Sequence, residues 1–90
     1  MSSKLPYTVK PWDKEIQNIF ERLTRDRVAY TKNTRLASEF GSKYPELVDN
    51  DFIDVVTTKY RKKEQKTIFA IAPNVVIIPK DKRFSFHKIF

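Results

Sequence analysis

Asp51-Phe52-Ile53-Asp54-Val55-Val56-Thr57-Thr58-Lys59-Tyr60-Arg61-Lys62-Lys63 is the stretch on which the fold turns. Read at helical spacing, Phe52, Ile53, Val56 and Tyr60 make one apolar stripe at roughly 100° per residue. Asp51, Asp54, Thr57, Thr58, Arg61 and Lys62 then occupy the exposed face. Acids gather at the start and bases at the end, the order a helix dipole favours. Continuing this helix back through Pro45 fails, because Leu47 points away from the stripe. A break at Asp49-Asn50 repairs the pattern, and either residue can cap a helix. The spacing therefore predicts a third helix over residues 51–63.

Upstream, Trp12, Ile16, Ile19, Phe20 and Leu23 recur at helical spacing and predict a first helix, with Trp12 as a core anchor. Pro11 suits its first turn, Asp13 and Glu15 its positive end, and Arg22, Arg25 and Arg27 its last turns. Val28 to Thr31 reads as a short extended piece. Asn33 or Thr34 caps a second helix with the apolar face Leu36, Ala37, Phe40 and Tyr44, and Gly41 is placed to end it. Residues 1–10 read as a flexible arm, in which the alternation of Leu5, Tyr7 and Val9 allows a short edge strand.

Downstream, Thr67–Ala72 and Val75–Ile78 are rich in β-branched residues and flank Pro73-Asn74. They read as two strands of a hairpin. Pro-Asn favours a type I turn rather than the primed turns of two-residue hairpins, so a wider loop is expected. Ile68, Ala70, Val75 and Ile77 share one face; Phe69, Ile71, Val76 and Ile78 share the other. Both faces want cover. Helices cover one; the tail Phe84, Phe86, Ile89 and Phe90, or a second copy of the chain, covers the other. Lys80 to Arg83 is a charged turn, followed by a third strand or an ordered tail.

Charge is the strongest functional signal. Residues 1–56 carry nine Lys/Arg and nine Asp/Glu, whereas residues 57–90 carry nine Lys/Arg and two acids, Glu64 and Asp81. The whole formal charge of +7 therefore lies in the last third. An unbalanced basic patch of this kind is built to meet a polyanion, most commonly nucleic-acid phosphate.

Ninety residues make one domain with a modest core. The longest uncharged run, Thr67 to Pro79, has thirteen residues and two prolines, too short for a membrane helix. The N-terminus lacks the apolar run of a secretory signal, and with no cysteine the chain is read as intracellular, cytoplasmic or nuclear. The absence of cysteine excludes disulfides and thiolate zinc sites; a single glycine leaves no Gly-rich phosphate loop. His87, the one histidine, builds no His-based metal site, and no Ser/His/Asp set is evident. Glu46, Asp49, Asp51 and Asp54 with Glu64-Gln65-Lys66 contain the residue types of a metal-dependent nuclease. Such charged triplets are common by chance, and no enzyme and no cofactor are expected.

The order helix, short strand, helix, turn, helix, hairpin is similar to the winged helix-turn-helix superfamily. Leu36-Ala37-Ser38-Glu39-Phe40-Gly41 resembles its core, where a small residue precedes glycine by four positions; Leu47 sits where an apolar residue is expected, and Asn50 departs from the pattern. The resemblance spans residues 12–79. It implies an α+β domain over residues 11–90, with three helices on a two- to three-stranded antiparallel sheet, that binds double-stranded DNA as a transcriptional regulator or architectural factor. The third helix then enters the major groove. On that reading Asn50, Thr57, Thr58 and Arg61 face bases or phosphates, and Lys43 touches the backbone from the turn. Lys62, Lys63, Lys66, Lys80, Lys82 and Arg83 bind phosphates. Asp51 and Asp54 at the helix start and an uncharged tip at Ala72-Pro73-Asn74-Val75 fit this less well. They favour a protein-interaction module as the alternative. Phe84 and Phe86 beside Arg83, His87 and Lys88 suggest a third option, RNA binding by base stacking, though core packing is the simpler use of both rings.

Overall fold

Five of the six residues from Ile53 to Thr58 are β-branched, with Asp54 the exception. Branching at Cβ restricts χ1 and suits a pleated strand better than a helix. In the computed structural model, which describes residues 4–60 and 64–89, this segment is a strand. The elements are β1 (Lys4–Thr8), α1 (Lys14–Asp26), β2 (Val28–Thr31), α2 (Thr34–Lys43), α3 (Pro45–Asp49), β3 (Ile53–Tyr60), β4 (Glu64–Ile71), β5 (Val75–Lys80) and β6 (Arg83–Lys88).

The helix expected over residues 51–63 does not form. Residues 61–63 lie outside the described residues, and 53–60 are β3. The chain stops being helical at Asn50, which closes α3 by donating its N–H to the carbonyls of Glu46 and Val48. Asp51 takes a left-handed conformation (φ 61°) instead of capping a new helix. Asn and Asp tolerate that region better than other non-glycine residues.

The winged helix-turn-helix arrangement is corrected with it. Among the described residues, six strands form two three-stranded antiparallel sheets, ordered β1-β6-β5 and β2-β4-β3. Helix α2 runs through Gly41 to Lys43, so Gly41 ends nothing and has no positive φ. The hairpin expected from 67–72 and 75–78 also fails, because β4 and β5 belong to different sheets. The type I signature of Pro73-Asn74 explains this. Val75 donates to the Ala72 carbonyl (3.0 Å) in a tight corner that switches the chain between sheets. Ala72 donates to Phe52 (3.1 Å), and Ile89 to Asn74 (2.7 Å), fixing the corner on both sides. The true hairpins are β3–β4 and β5–β6. Residues 4–8 pair along β6, from Lys4 opposite His87 to Thr8 opposite Arg83.

Helix α1 buries Ile16, Ile19, Phe20 and Leu23 as their spacing requires. Trp12 is not in the core; it is 76 % exposed, because the helix begins at Lys14 and Trp12 lies in the turn before it. Asn33 caps α2, accepting from the Leu36 N–H at 3.1 Å. Phe20, fully buried, joins the layers. Its ring centroid lies 5.2 Å from Phe84, 5.5 Å from Phe86, 6.3 Å from Tyr7, 5.6 Å from Phe40 and 5.0 Å from Tyr44. Phe40 extends the cluster to Phe69 on β4, at 4.6 Å. One aromatic core thus binds both sheets to the helices, and Phe84 and Phe86 belong to it. No helix among the described residues is long and apolar enough to cross a membrane.

Candidate nucleic-acid interface

Five of the six described basic residues of the last third, Lys59, Lys66, Lys80, Lys82 and Arg83, lie toward the connected ends of the two hairpins. In β3–β4 the pairing continues from Ile53–Ile71 out to Tyr60–Glu64. Strand β2 accompanies β4 only as far as Thr31 opposite Thr67. Beyond that row the sheet narrows to a two-stranded ribbon of residues 58–60 and 64–66, about 10 Å long at ~3.3 Å per residue. Arg61, Lys62 and Lys63 follow Tyr60 in sequence and lie outside the described residues.

A bare two-stranded ribbon is marginal in water, and this one is tied at its root. Thr67 is buried, and its hydroxyl meets that of Thr57 at 3.1 Å. The Thr58 hydroxyl donates to the Lys66 carbonyl at 3.5 Å. The Lys66 ammonium sits 4.1 Å above the Tyr30 ring, a cation–π contact between β4 and β2. Strand alternation puts Lys66 on one face of the ribbon and Lys59 on the other, with Gln65 opposite Lys59.

The second cationic end is the turn between β5 and β6. Lys80 pairs with Arg83, and Asp81 (φ 56°) and Lys82 make the reversal. Val9 donates to the Lys82 carbonyl at 2.8 Å, so the strand backing the hairpin holds the turn directly. Thr8, Lys80, Asp81, Lys82 and Arg83 line a shallow depression of about 580 Å³.

Among the described residues, Lys59, Lys66, Lys80, Lys82 and Arg83 have no carboxylate within ion-pair distance. Several cations elsewhere are engaged. Lys43 pairs with Asp13 (2.8 Å) and Glu39 (3.0 Å), whose hydrogen bonds hold its ammonium well above the usual lysine pKa. Arg27 donates to the Ala72 carbonyl at 2.8 Å. Lys88 donates to the Asn50 carbonyl and lies over Phe52.

Of the residues expected to contact DNA, Thr58 and Lys66 are on the ribbon and Thr57 is at its root. Lys80, Lys82 and Arg83 are at the second turn. Lys43 and Asn50 are not with them. Lys43 is held by α1 and α2 acids, and the Asn50 amide donates to the Glu46 carbonyl (3.0 Å) where α3 ends. Asn50 lies just before β3, at the end of that strand remote from the ribbon. Asp51 and Asp54 head no recognition helix. Lys59 and Gln65 are exposed ribbon residues absent from the expected donors. The β-branched run 53–58 was the signal that places them. The carboxylates Glu46, Asp49, Asp51, Asp54 and Glu64 do not converge: among the described residues no group of three or more His, Cys, Asp or Glu could hold a metal ion. Glu46 instead accepts from the Tyr7 hydroxyl at 2.7 Å.

No family model, no curated protein and no solved structure matches this chain.

Proposed function

We propose that this chain binds nucleic acid, duplex DNA foremost, through the cationic ends of its two β-hairpins, without chemistry on the ligand. The observation that carries the reading is the clustering of unneutralised Lys and Arg on those two ends. Helices α1–α3, by contrast, carry five Lys/Arg against six Asp/Glu. A two-stranded ribbon matches the width of the DNA major groove. Lys59, Lys66, Lys80, Lys82 and Arg83 supply phosphate contacts that give affinity and register. Gln65 on one face of the ribbon, with the geometry that suits adenine, and Thr58 on the other can address base edges, according to which face enters the groove.

The test is a salt titration against a duplex of about 20 base pairs. Five phosphate contacts give a slope near −4.5 in log affinity against log salt, or roughly a five-hundred-fold loss between 50 and 200 mM. Absence of binding at 50 mM salt overturns the proposal. Tighter binding to single-stranded RNA of equal length reassigns the ligand from duplex to single strand.

A further inference from the structure

Strand β6 buries Phe84 and Phe86 in the core, so Arg83, Ser85 and His87 lie on the outer face of sheet β1-β6-β5. Cross-strand pairing groups the outward positions into three rows. Nearest the turn, Arg83 stands between Thr8 and Lys80. At the far end, His87 stands between Lys4 and Val76. Ser85, between Pro6 and Ile78, makes a middle row with no long polar side chain. Every polar side chain in these rows can donate a hydrogen bond, and none is a carboxylate. The outer face of β2-β4-β3 instead carries the acids Asp54 and Glu64.

We propose that the outer face of β1-β6-β5 is a docking surface for the phosphodiester backbone of the bound nucleic acid, which continues from the cationic turn across Ser85 to His87. The proposal rests on the nucleic-acid reading above and carries the contact beyond the hairpin ends. The argument is complementarity of charge and of donors. Lys80 and Arg83 lie directly opposite each other. Such a like-charge pair costs stability in a bare sheet, and an anion above it relieves the repulsion. Along β6, Arg83, Ser85 and His87 set a donor every ~6.8 Å, and phosphate oxygens accept. The low middle row lets a backbone lie close against the strands. Asp81 borders the first row in the turn, between Lys80 and Lys82, so the turn stays net positive.

Other occupants fit less well. A protein surface presents cations as well as acceptors, and these rows offer no carboxylate to meet a cation. A lipid surface is held by burying apolar side chains. The two large ones here, Val76 and Ile78, sit together on the edge strand β5 and leave the rest of the face polar.

The experiment measures duplex DNA binding by the full chain at about 50 mM salt for two matched substitutions. Ile78→Glu and Val28→Glu each set one carboxylate at an apolar edge-strand position, 53 and 44 % exposed, on the outer faces of the two sheets. Ile78→Glu is expected to weaken binding at least about ten-fold, and Val28→Glu no more than about two-fold. Ser85→Ala with His87→Ala, which removes two donors that are neither Lys nor Arg, is expected to weaken it about three-fold and leave the salt slope nearly unchanged. Circular dichroism checks that each variant folds; should Ile78→Glu unfold, Thr8→Glu on the opposite edge decides by the same criterion. Equal losses for the two Glu variants overturn the proposal and leave the nucleic-acid reading standing. Failure of the unchanged chain to bind duplex overturns both. Binding of the unchanged chain to phosphatidylserine vesicles that Ile78→Glu abolishes, with duplex binding intact, assigns the face to lipid and overturns the proposal.

Discussion

The two hairpins end in charge of the same sign on different backing. Hairpin β5–β6 is flanked by β1 along its length to the turn, and Phe84 and Phe86 anchor it in the aromatic core. Hairpin β3–β4 is flanked by β2 only to Thr67, and its outer rows stand alone. One turn is held where the core puts it; the ribbon is held at its root by Thr57, Thr67 and the Lys66–Tyr30 contact. On the proposed reading, the anchored turn positions the ligand and the ribbon adapts to it. Stability and binding should therefore respond to different residues in the two hairpins.

The largest effect is expected in the core under the anchored hairpin. Phe86→Ala removes a fully buried ring and should destabilise by about 3–5 kcal/mol, a large share of the stability of a small domain. Urea unfolding measures it. A loss under about 1 kcal/mol would mean that β5–β6 is not anchored as described. Next, Lys59→Ala with Lys66→Ala should leave the fold intact. The lost cation–π contact costs about 0.5–1 kcal/mol, and the salt slope of DNA binding should fall by about 2. If instead stability collapses and the slope holds, the ribbon is a structural element and not a contact.

Strand β1 offers a smaller test of the backing. Burial, and then the hydrogen bond to Glu46, hold the Tyr7 phenol above its ordinary value of 10. The folded state keeps this proton where the unfolded chain loses it. Its contribution is complete below pH 10 and is lost as pH rises through the higher folded value. Lys43 acts with the same sign above its ordinary value of 10.5. Tyr7→Phe should cost under about 1 kcal/mol at neutral pH and flatten the loss of stability above pH 10. Urea midpoints from pH 8 to 12 report both. The smallest effect is Asp81→Asn, which keeps a residue tolerant of positive φ and removes the one acid in the second turn. DNA affinity should rise about two- to three-fold at low salt; no change would remove that turn from the contact.

Helix α1 and the start of α2 were the legible part of the chain. Ile16, Ile19, Phe20 and Leu23 bury at the predicted spacing, and Asn33 caps as its chemistry suggests. What escaped was long-range pairing. Phe52, Ile53, Val56 and Tyr60 satisfy a helical period by coincidence, and the dipole-friendly charges at both ends reinforced it. The β-branched density of 53–58 carried the opposite message and won because β4 was available as a partner. Strands β4 and β5 were both foreseen; the type I signature of Pro73-Asn74 argued against a two-residue hairpin, but which strands each pairs with instead depends on long-range register. The charge excess was readable from composition. Its distribution over two hairpin ends was not, since that depends on register. Trp12 followed the helical stripe on paper and is left outside because the helix starts two residues later.

Backbone amide shifts recorded while duplex DNA is titrated into the chain at about 50 mM salt give the most direct test. The account predicts that the largest changes fall at residues 57–67 and 80–83, with α1, α2 and α3 nearly silent. Changes concentrated on the helices, or none anywhere, would contradict it.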